Sequence, residues 1–195
     1  MKKSLLLALG LIAGLAVQAQ QETLFDDLDV RGAFGGPIVE IGNIVGETTG
    51  MVGGGGALIL NNMFIGGYGI GTKSPDYVND SKNYNVHFRH GGFWLGYTSK
   101  SYKAIHFYTS ARIGWGKARL RDNDETVYSD RIFALTPELG LELNLTSFFR
   151  LAITGGYRWI NGINRIPGAD NMDFSSPIGT LTFSFGGFGD WYHND

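Results

Sequence analysis

The chain of 195 residues contains no cysteine. A disulfide framework and a lipid anchor on a lipobox cysteine are therefore both excluded, and the fold has to hold itself together. Charge of one sign is lacking too: 16 Lys and Arg stand against 18 Asp and Glu, for a net charge of -2. That balance gives no basic footprint for nucleic acid. With only 5 prolines and scattered charges, the composition also argues against a disordered chain. Beyond the N-terminus no apolar run approaches the roughly 18 residues that would mark a transmembrane helix. If the chain is exported and enters a bilayer, it must do so as a closed barrel, because only helices and closed barrels satisfy their backbone groups in lipid.

What is present begins with "MKKSLLLALGLIAGLAVQAQ", in which Lys2 and Lys3 precede an apolar run from Leu5 to Val17 and a small-x-small site at Val17-Gln18-Ala19. It reads as a secretory signal peptide over 1–19. A segment of 20–30 follows, then a single domain over 31–188 and a tail of 189–195. The mature chain, at about 175 residues, fits one domain.

Alternation of apolar and polar residues dominates the second half. In "AIHFYTSARIGWG", Ile105, Phe107, Thr109, Ala111, Ile113 and Trp115 share one face, and His106, Tyr108, Ser110 and Arg112 the other. Segments "RIFALTPELGLELN", "FFRLAITGGYRWI" and "IGTLTFSFGGF" repeat the pattern. Strands are also expected at about 31–41, 50–61, 63–72 and 85–97, where glycine blurs the period. Eight strands result. Long polar connections at 42–49, 73–84, 119–130 and 161–176 alternate with short ones, which predicts an eight-stranded antiparallel up-and-down transmembrane β-barrel with its long loops at one end.

A secreted lipocalin-like barrel would show the same period with its faces reversed. The polar face decides against it, because Gly, Ala and Ser there are interleaved with Glu40, Arg89, Arg112, Glu138, Glu142, Arg150 and Arg158. Small residues with a few pairable charges suit a narrow lumen. Lys73, Lys82, Lys100 and Lys103 fall in connections, with only Lys117 near a strand end, and Tyr97, Trp115, Phe133, Phe149 and Trp159 cluster towards strand ends, as interfacial girdles do. The glycines of "MVGGGGALILNNMFIGGYGIGT" (51–72) are then expected to face a crowded lumen or to mark bends. A phosphate loop is excluded there, since Thr72 stands where lysine should and Pro75 blocks the helix.

On strand count, loop alternation and the closing "GTLTFSF", the chain resembles the OmpA/OmpX-like family of small outer-membrane barrels of Gram-negative bacteria. The resemblance implies outer-membrane lipid and the barrel-assembly machinery as partners, with Phe183 and Phe185 as the aromatic positions of the assembly signal. It also implies a monomer with a porin-like fold and an outer-membrane location. Gly179 and the tail "GDWYHND" depart from that signal, and Pro137, inside a strand, predicts a bulge.

Some barrels of this architecture modify lipid A, so an enzyme is a distinct alternative. Its signals are weak. His106 and Ser110 lie four residues apart on one strand face, about 13 Å, too far to touch. Asp80-Ser81 has no histidine in the preceding long loop, and His87 and His90 fall on opposite faces, which disfavours a metal site. No catalytic residue, metal or cofactor is expected. The expected role is structural or interactive: a filled, salt-bridged lumen with little conductance, and long loops as the place for an extracellular ligand.

Overall fold

The computed structural model describes residues 29–72, 76–79, 82–122 and 125–189. The expected signal peptide, nearly all of the 20–30 segment and the tail after Gly189 lie outside the described residues, as do Asp80-Ser81. The elements are β1 (Val30–Ile44), β2 (Glu47–Leu60), β3 (Met63–Thr72), β4 (Asp76–Asn79), β5 (Lys82–Ser99), β6 (Ile105–Asp122), β7 (Glu125–Asn144), β8 (Phe149–Asn161), α1 (Asn171–Phe174) and β9 (Ser176–Gly187). Eight of the strands pair antiparallel with their neighbours, and the β3–β5 and β1–β9 ladders close the ring. Short β4 lies outside it, forming a hairpin with the first residues of β5.

Strands run further than the alternation suggested. Three of the four expected long loops are mostly strand: β1 and β2 pair up to Ile44↔Glu47, β6 and β7 up to Asp122↔Glu125, and 73–84 holds β4 and the start of β5. Thr48, Thr49, Thr126, Val127 and Tyr128 favour extended backbone, and a ribbon beyond the bilayer tolerates polar side chains on both faces, so polarity alone misplaced these boundaries. Val45 and Gly46 make the first turn with φ of 49° and 84°. Positive φ at both positions matches the strand twist, yet it is rare for a β-branched residue. Val45 is held there from outside, its N–H donating to the Asp173 carbonyl at 2.6 Å.

The bulge expected at Pro137 is not found. Leu135↔Trp159 and Glu138↔Gly156 keep one register, with the β7–β8 pairing merely skipped at Thr136 and Pro137. Pro37 interrupts the β1–β9 ladder in the same way. A proline removes one donor, and the flanking bonds hold the register without an extra residue. The irregularities fall instead at Val30/Gly32 and Leu120/Arg121.

Outside, β6 presents Ile105, Phe107, Thr109, Ala111, Ile113 and Trp115 in succession. That is about 33 Å of strand at the usual rise, or about 25 Å of height at a barrel's tilt. Leu139, Leu141, Ile153, Phe93 and Leu181 continue this exposed apolar band around the wall. Inside, Phe34, Phe64, Trp94 and Tyr108 pack ring to ring at 5.2–5.7 Å at the end where both termini emerge. The glycines make room for them: a Cβ on Gly96 would lie 2.1 Å from the Phe64 ring, and one on Gly55 3.0 Å from Trp94. In the alternation of β2 and β3, however, Gly54, Gly56, Gly67 and Gly69 fall on the outer wall.

Candidate functional site

The polar residues of the lumen come from strands all around the ring, because the period of two turns every second side chain inward. Glu40 on β1 is fully buried between two cations, with Arg112 of β6 and Arg158 of β8 each at 2.5 Å. Arg112 also reaches Glu138 of β7 at 3.0 Å, and Ser110 and Thr154 donate to that same carboxylate. The result is a continuous Arg158–Glu40–Arg112–Glu138 chain across the barrel. Arg158 is further engaged by the carbonyls of Asn43 and Phe174, at 2.8 and 3.1 Å, and by the Ser176 hydroxyl.

Nearer the termini, Glu142 forms a second cluster with His106 at 2.8 Å and Arg150 at 3.3 Å. The Arg150 guanidinium lies 3.9 Å over the ring of Phe188. Beside the first cluster, where the Arg112 guanidinium lies 5.4 Å from the Tyr68 ring, Tyr68 shares a hydrogen bond of 2.9 Å with His90. Buried charges survive only when paired and hydrogen-bonded, and each carboxylate here has at least two partners.

Arg89 does not join them. Its side chain is exposed on the outer wall between inward-facing Phe88 and His90. The inner face of β5 carries Val86, Phe88 and Trp94, so in this strand apolar residues point inward and polarity gave the wrong side. His87 is likewise on the face opposite His90.

The girdle residues fall at two levels. Trp115, Phe133 and Trp159 lie towards the loop end, with Trp115 and Phe133 at 5.9 Å. Tyr97 and Phe149 lie towards the termini, where Phe149 stacks on Phe185 at 4.6 Å. Phe183 lies on the same outward face as Phe185.

Sequence reasoning missed the cover on the loop end. The 162–175 loop folds over the mouth, burying Ile163, Ile166 and Phe174, and Phe174 packs on Phe88 at 5.5 Å. Asp170 caps α1 by accepting from Met172 and Asp173, and Asp173 returns a bond to the Asp170 N–H. Asp130 Oδ2 accepts the N–H groups of Asn164, Arg165 and Ile166 at 2.8–3.2 Å. Tyr77 of β4 donates to the Pro167 carbonyl at 2.9 Å, tying a second loop to this one. Partial burial, with the Asp173 carboxylate nearby, holds the Tyr77 phenol above its ordinary pKa. The signal was there in "IPGADNMDF", an Asx cap followed by a buried aromatic, but it falls in a stretch read as solvated loop.

His106 and Ser110, weighed above for chemistry, are engaged in the lumen. Both ring nitrogens of His106 are engaged, by Glu142 and by the Lys103 carbonyl, while Ser110 points to Glu138. Among the described residues no three metal-ligating side chains cluster.

No protein-family profile and no curated protein matches the chain in sequence. Solved structures do resemble it, among them the following two. Neisserial surface protein A is 12% identical with a TM-score of 0.58, over 80% of this chain and 94% of that one. Ail, the attachment invasion locus protein of Yersinia pestis, solved with the heparin analogue sucrose octasulfate, is 16% identical with a TM-score of 0.46, over 80% and 95%. The first likeness establishes the fold as that of the small eight-stranded outer-membrane barrels.

Proposed function

We propose that this chain is an integral outer-membrane barrel with a closed lumen, acting structurally or through surface interactions at its loop end. The observation that carries the reading is the pairing of an exposed apolar band with an interior filled by ion pairs and aromatic rings. In water such a band would be a large exposed apolar patch, which soluble monomers avoid. In lipid it is the ordinary outer surface of a barrel.

Partners follow from the same placement. Outer-membrane lipid covers the band, the outward Phe183 and Phe185 on β9 are available to barrel-assembly machinery, and the β4–β5 hairpin and 162–175 loop offer an ordered surface to an extracellular ligand. The barrel works as a monomer, because its closed ring leaves no strand edge to pair with a second copy.

The test is fractionation of expressing Gram-negative cells, followed by SDS gel electrophoresis with and without boiling. The expected result is recovery with the outer membrane and a mobility shift on heating. A periplasmic protein with no shift overturns the reading, and stable wide channels in planar bilayers would overturn the closed lumen.

A further inference from the structure

The outer wall is not uniform at the upper edge of the apolar band. On β5, β6 and β7 the outward residues just above Gly91, Trp115 and Phe133 are cations: Arg89 is directly opposite Lys117, and Lys117 directly opposite Arg131. Arg119 lies one outward position higher on β6. Elsewhere around the ring the corresponding outward positions hold Asn161, Asn43, Thr48 and Gly71. Among the described residues, the row of cations at this level occupies one sector.

Like charges placed directly across a ladder repel, with side chains only about 5 Å apart at their Cβ atoms. Among the described residues no acidic side chain forms an ion pair with Arg89, Lys117, Arg119 or Arg131. The nearby Asp130 turns inward and is occupied by the three amides of the 164–166 segment. By holding that segment it sets Arg165 beside Lys117 and Arg131, where these three cations line a cleft of about 570 Å³ together with Ser129 and Asp130, whose carboxylate Oδ2 is occupied by the three amides.

A second hollow runs down from this cleft on the membrane side. Val52, Gly69, Gly71, Gly91, Trp115 and Gly116 line an open groove of about 660 Å³, with Arg89 and Lys117 on its border. Glycines on three adjacent strands thin the wall there, and the Trp115 ring stands at one side. Lys117 belongs to both hollows.

We propose that this sector is a binding site for one phosphate-bearing membrane lipid, with its phosphate on Arg89, Lys117 and Arg131 and an acyl chain in the glycine groove. The anion relieves the cross-strand repulsion through charge-assisted hydrogen bonds. The groove removes the chain from the bulk lipid without burying a polar group. The site rests on the membrane reading above, since a soluble protein would meet no such lipid.

The test uses the folded barrel in detergent, with lipid retention read by native mass spectrometry. The probes are bis-phosphorylated lipid A, the same lipid with its phosphates removed, and inorganic phosphate as competitor. Wild-type protein is expected to favour the phosphorylated lipid by roughly tenfold or more. The R89Q/K117Q/R131Q variant should lose that preference while still shifting on heating, and inorganic phosphate should fail to displace the lipid. Equal retention of both lipids by the wild type overturns the proposal whatever the variant does. So does undiminished preference in the folded variant, or displacement by inorganic phosphate, which would make it a plain anion site. A barrel that fractionates with the outer membrane but does not discriminate refutes this site alone, whereas a soluble protein refutes the membrane reading beneath it.

Discussion

Glu40 has one cation on each carboxylate oxygen, and that geometry fixes what its removal does. Glu40→Ala leaves Arg112 and Arg158 facing each other in a lumen without their shared counter-charge. The expected loss is about 3–5 kcal/mol, read from urea unfolding of the barrel in lipid vesicles. Glycines separate in the same way by what a methyl group would meet. Gly96→Ala drives a Cβ into the Phe64 ring and towards the Thr109 carbonyl, and should cost about 1–3 kcal/mol. Gly179→Ala meets nothing within 4 Å and should stay within about 0.5 kcal/mol in the same unfolding measurement.

Among the elements, the 162–175 loop depends on one side chain from a neighbouring strand. Asp130→Ala removes the acceptor for three amides and leaves α1 anchored by its own cap and by Phe174. Faster hydrogen exchange is expected at Asn164–Ile166, together with tryptic cleavage after Arg165, while the heat shift of the barrel persists. Unchanged exchange there would mean that the loop is held by its buried Ile163, Ile166 and Phe174 alone. The β6–β7 hairpin at the same end rests on its ladder, which continues from the wall, whereas the β1–β2 turn and the β4–β5 hairpin are each tied to the 162–175 loop, through Val45 and Tyr77.

For the barrel as one object, the question is which face meets lipid. Leu139 is 63% exposed, in the middle of the outward series of β7 from Phe133 to Leu143. An arginine there faces hydrocarbon if the band is in a bilayer, and Leu139→Arg should cost about 2–4 kcal/mol in folding titrations into lipid vesicles. On an outer wall that met water the same exposed change would cost almost nothing, so a neutral result would mean that this face does not meet lipid.

The strict alternation of β6 to β9 determined an antiparallel barrel, because a period of two leaves a side chain only two directions, and the small and pairable charged residues of the polar face determined the inward placement of Arg112, Glu138, Glu142, Arg150 and Arg158. It could not place Arg89, since in β5 both faces carry large apolar residues and glycine removes the contrast between them. Nor could it separate loop from hairpin at 42–49, 73–84 and 119–130, where polarity marks water rather than backbone shape. Which carboxylate meets which guanidinium, how Phe174 closes the mouth, and that Arg89, Lys117 and Arg131 stand in one row were decided only by ring closure. Those contacts join residues far apart in sequence, and their partners are set by strand register, which no local pattern contains.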